Sequence, residues 1–82
     1  MNKARRQVIK WQALTEAYEY LVRMAESREA DRDRYVSKLE EEAEQERENP
    51  DWVREESYWY REAIRCKEEA EVHRGVAEEI IK

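Results

Sequence analysis

Phenylalanine is missing from this chain, and glycine, proline, cysteine and histidine occur once each. Each scarcity removes a class of answer. With Cys66 alone there is no disulfide within the chain and no Cys-x-x-Cys metal clamp. With Gly75 and Pro50 as the only strong breakers, the frequent turns of a sheet protein cannot be built. No run of eighteen apolar residues and no secretory apolar core appears, so the chain is expected to be cytoplasmic and to have no membrane partner. No glycine-rich loop is present to cradle phosphate, and Ser27, Ser37 and Ser57 have no neighbouring histidine to serve as base. An enzyme is therefore not expected, and neither is a cofactor or a metal.

What is present is charge, carried on a helical period. Of 82 residues, 45% are charged and 40% hydrophobic, the balance of long helices rather than of a mixed fold. A chain of this length forms one domain, 1–82, with a small core. The net charge of −5 is uneven. Residues 1–37 carry eight bases and six acids, residues 38–51 two and seven, and residues 52–82 six and eight. Lys3, Arg5, Arg6 and Lys10 form a basic arm ahead of the first acid, Glu16. Overall acidity disfavours non-specific binding to nucleic acid.

The turn signal is Glu48-Asn49-Pro50-Asp51-Trp52. Asn49 suits an N-cap and Pro50 the first helical position, while the proline forces Asn49 out of the helical region. One helix is therefore expected from about residue 3 to 48 and a second from the turn to the end. Ahead of the turn Ala4, Trp11, Leu14, Tyr18, Leu21 and Ala25 recur at three-, four- and seven-residue spacing, flanked by Val8. Arg28 and Arg32 then occupy stripe positions before Tyr35 and Leu39 resume it. After the turn Trp52, Glu56, Trp59, Ala63, Cys66, Ala70, His73, Ala77 and Ile80 follow an alternating four-three spacing. The expected fold is all-α, a long antiparallel hairpin joined at Asn49-Pro50 and assembling into a four-helix dimer. The alternative is a three-helix bundle with a break near 27–33, where caps exist but no Gly or Pro does.

The second helix is the shorter, and pairing outward from the turn ends it opposite Tyr18. That strands Val8, Ile9, Trp11 and Leu14 as an apolar patch, which a second copy packed head to tail would cover. The expected dimer interface is Val8, Trp11, Leu14, Trp52, Trp59 and Tyr60. Cys66, Glu69 and His73 share a face but lack the paired spacing of a metal site, and the reading is a packed small face. Arg28, Arg32, Tyr35 and His73 offer a second site, where a nucleotide or other small anion would sit at the oligomer interface. The plainer reading pairs the two arginines with Glu62, Glu69 or Asp31.

These residues point to a non-enzymatic protein–protein interaction module, a small acidic homo-oligomer. In size and charge it resembles the small acidic helical inhibitors of phages and mobile elements. That resemblance implies an inhibitor or adaptor acting on a basic, nucleic-acid-binding partner, through a Glu-rich tip of Glu40, Glu41, Glu44 and Glu48. Direct nucleic-acid binding by the arm is the least expected outcome.

Overall fold

A computed structural model describes residues 2–82. Helix α1 runs unbroken from Lys3 to Gln45 and α2 from Tyr58 to Ile81, with a single 3-10 turn at Arg54–Glu56 between them. The two helices lie side by side as an antiparallel hairpin, 70 Å long and about 15 Å across. Continuity through residues 27–33 excludes the three-helix alternative. The Asn2 side chain opens α1 by accepting from the Arg5 N–H at 2.8 Å, as an N-cap does.

The connection differs from the expectation in one respect. Pro50 does not start the second helix. Asn49 and Pro50 instead fill the first two positions of a β-turn, closed by the Trp52 N–H donating to the Asn49 carbonyl at 3.3 Å. The Asn49 Oδ1 braces it by accepting from the Asp51 N–H at 3.0 Å. An earlier turn, with the Asn49 N–H on the Glu46 carbonyl, has already ended α1. Helix α2 starts eight residues after Pro50, where buried Ser57 accepts from the Trp59 N–H at 3.2 Å.

The reason is tertiary. The Trp52 indole N–H donates to Glu42 at 2.8 Å and Arg54 reaches Glu40 at 2.5 Å. Both contacts require residues 52–57 to run back along α1. Much of that run is not helical, and an extended residue advances about 3.3 Å where a helical one advances about 1.5 Å. The second helix therefore sits further along the first than pairing from the turn implies. Ile80 and Ile81 reach Trp11 and Leu14, past Tyr18.

The seam between the helices is narrow and built mainly of small residues. Ala25 and Leu39 from α1 and Ala63, Cys66, Ala70 and Ala77 from α2 are buried, all on the two stripes. Leu39, 2% exposed, is the only large side chain among them. Alanines let the backbones approach closely, but each buries little apolar area, so the pair is held by length rather than by depth.

Candidate functional site

Three regions follow one another along the hairpin. At the turn end the aromatic residues are engaged within the chain. Tyr35 stacks on Trp59 with ring centroids 6.0 Å apart, and Tyr58 meets Trp59 edge-on at 5.0 Å. Trp52 is half-buried over Glu42. Of the residues expected at a dimer interface, Trp52 and Trp59 thus already have partners in their own hairpin, and Tyr60 is half-buried.

The acids of the turn end are partly neutralised. Glu40 holds Arg54, Glu41 lies 3.7 Å from Lys38, and Glu44 lies 3.2 Å from Arg47. Glu48 is exposed, as are Glu40, Glu41 and Glu44. Arg54 is pushed above its ordinary pKa, first by the hydrogen bond it donates to Glu40. The counter-charges come from within one turn or across the hairpin, so the surface presents acid excess rather than a closed network.

The waist is a chain of ion pairs, joined across the seam by Arg28–Glu69 and Arg74–Glu29. Arg28 Nε stands 2.9 Å from Glu69 Oε2, and both atoms are sealed from water. Their alignment is too poor for a formed hydrogen bond, so they meet as charges. Arg28 also lies 3.6 Å from Asp31, which takes Arg34 as well. Within α2, Arg65 clamps Glu62 at 2.6 Å and Glu69 at 2.9 Å. Arg32 turns to Asp33 at 2.9 Å instead of crossing to Glu62.

The residues proposed for an anion are therefore occupied one by one. Arg28 has two carboxylates and Arg32 one, Tyr35 has Trp59, and His73 Nδ1 donates to the Glu69 carbonyl at 2.6 Å. Cys66 is only 1% exposed, and burial pushes its thiol up, holding it protonated. Among the described residues no three His, Cys, Asp or Glu side chains converge as a metal set.

The open end is the reverse of the turn end. Trp11 is 59% exposed and Val8 55%, with Ile9 also exposed. Val8, Trp11, Thr15 and Glu16 line a shallow groove along α1. Beside it Trp11, Leu14, Tyr18, Ile80 and Ile81 wall an apolar notch of about 150 Å³ between the helix ends. Spacing alone identified Trp11 and Leu14. The contribution of Ile80 and Ile81 was hidden by the shift in register.

No family model, no curated protein and no solved structure matches the chain. What the open end can do must be argued from its own chemistry. An apolar notch with one accessible aromatic wall takes an apolar side chain, and the four bases before it favour an acidic neighbour. No helix among the described residues is long and apolar enough to cross a membrane.

Proposed function

We propose that the protein is a non-enzymatic protein–protein interaction module that works as a homo-oligomer in the cytoplasm and carries an acidic surface to a basic partner. The observation that supports this best is the imbalance of apolar surface. Trp11, Val8 and Ile9 stand in solvent, while four of the six buried apolar residues of the seam are alanine. A chain that leaves Trp11 outside while alanines fill its seam has surface reserved for another molecule.

The partner class follows from charge. Residues 40–51 hold seven acids and one base, and Glu41, Glu44 and Glu48 are exposed. A basic, nucleic-acid-binding surface is the complement, and an inhibitor or adaptor is the role that such mimicry of charge serves. No observation favours the anion-trapping alternative, since its four residues are engaged within the hairpin.

The test is capture from a host lysate by the wild-type chain and by E41K/E44K/E48K. These three acids make no contact across the hairpin, so circular dichroism should be unchanged. A basic protein held by the wild type and released by the variant supports the reading. Identical retention by both removes the acidic surface from it.

A further inference from the structure

We infer that the open end of each hairpin is covered by the turn end of a second copy, in an antiparallel two-fold dimer. This rests on the interaction reading above and names the first occupant of its surface. The argument starts from α1, whose ends are both charged against its own dipole. The first turn holds Lys3, Arg5 and Arg6 with no acid, and the last turn holds acids with no base. A helix carries roughly half a positive charge at its start and half a negative charge at its finish, so each end repels its own side chains. One antiparallel neighbour relieves both ends at once.

The register is then set by the charges themselves. Laying the arm, residues 3–10, against residues 40–48 of the second copy puts the two-fold axis near Ala25. That is close to the midpoint of Lys3–Gln45. The two copies therefore overlap along nearly the full length of α1, with no end left over. A flank 70 Å long and 15 Å wide offers about 1,000 Å², above the roughly 800 Å² per partner of a stable interface.

At this register Trp11 and its notch lie level with the second copy's Val36 and Tyr58, both exposed apolar side chains that need cover. Two-fold symmetry makes each contact twice. The arm brings four bases to an end that carries seven acids and one base, so each end of the dimer stays acidic. The surface that would meet a basic partner survives assembly.

Zero-length carbodiimide cross-linking of the purified chain, read by mass spectrometry, tests this directly. Lys10 and Glu44 are 34 residues apart on one straight helix, roughly 51 Å, so any link between them joins two copies. Links from Lys3 or Lys10 to Glu41, Glu44 or Glu48 within a dimer band are expected. K3E/R5E/R6E/K10E should abolish the dimer without loss of helix, because acids at the start of α1 suit its dipole. Mixing it with E41K/E44K/E48K should restore a heterodimer, while each variant alone stays monomeric. Trp11→Ala should weaken the dimer about a hundredfold. A dimer with no link from arm to tip, or a chain that stays monomeric at 100 µM by design of the assay (about 1 mg/ml), overturns the proposal. A monomer that still retains a basic protein through Glu41, Glu44 and Glu48 removes the dimer and leaves the interaction reading standing.

Discussion

The two ends of the hairpin hold the same kinds of residue and treat them oppositely. Near the turn, Trp52 has a carboxylate for its indole N–H, and Trp59 has Tyr35 and Tyr58 against its ring. At the open end Trp11 has an apolar notch on one side and solvent on the other. The difference lies in what the chain can fold back over each ring. Near the turn the backbone itself returns along α1, bringing side chains within reach. At the open end, Ile80 and Ile81 are the α2 residues that line the notch beside Trp11. An aromatic residue is thus structural where the hairpin covers it and available where it does not.

The sharpest break of this contrast comes from truncating one tryptophan at each end. Trp11→Ala should cost on the order of 3 kcal/mol of self-association and little of the hairpin's own stability, read from concentration-dependent sizing and from urea unfolding at high dilution. Trp52→Ala should do the opposite. It loses a half-buried ring and leaves Glu42 without its donor, a loss of about 2 kcal/mol of unfolding free energy, read as a lower urea midpoint. Equal effects of the two on unfolding would erase the distinction.

The waist between the ends should give a smaller effect. Glu69→Gln weakens the hold on Arg28 and Arg65, and because Arg28 and Glu69 are about one-third exposed and Arg65 about half, the expected loss is only about 1 kcal/mol. R28M/E69L, which removes both charges, should recover most of it. Gly75→Ala should act in the other direction. The position is helical, and nothing lies within 4 Å of an added Cβ, so a gain of about 0.5–1 kcal/mol is expected from helix propensity alone.

The smallest effect is one of pH. The hydrogen bond from Arg74 holds the Glu29 carboxyl below its ordinary pKa, against a lesser upward push from burial. A depressed carboxylate stabilises the fold above the unfolded pKa, about 4.3 for glutamate, and that contribution fades as pH falls through the folded value. Wild type and Glu29→Gln should therefore differ in urea midpoint at pH 7, and the difference should shrink as the carboxyl is protonated in acid.

Much of this molecule was legible in its sequence. The stripes named every buried apolar residue, because a two-helix seam obeys a single spacing rule. The unbroken passage of α1 through residues 27–33 followed from the lack of Gly or Pro there, and the pairing of Arg28 followed from Glu69 facing it on α2 and Asp31 standing three residues along α1. The connection was not legible. Asn49-Pro50 is as good a turn opening as a helix opening, and the choice between them was made by Trp52 and Arg54 reaching back to Glu42 and Glu40. That choice moved α2 along α1 and joined Ile80 and Ile81 to the notch. Ser57, a good N-cap directly before Tyr58-Trp59-Tyr60, was the local signal for the true start.

Sedimentation equilibrium of the wild-type chain from low to high micromolar concentration tests the central claim, that the open end is completed by a second molecule. The chain mass is 10.1 kDa. The account predicts a reversible rise to twice that mass, weakened by salt as the charged ends are screened. A mass that stays at one chain across the whole range would contradict it.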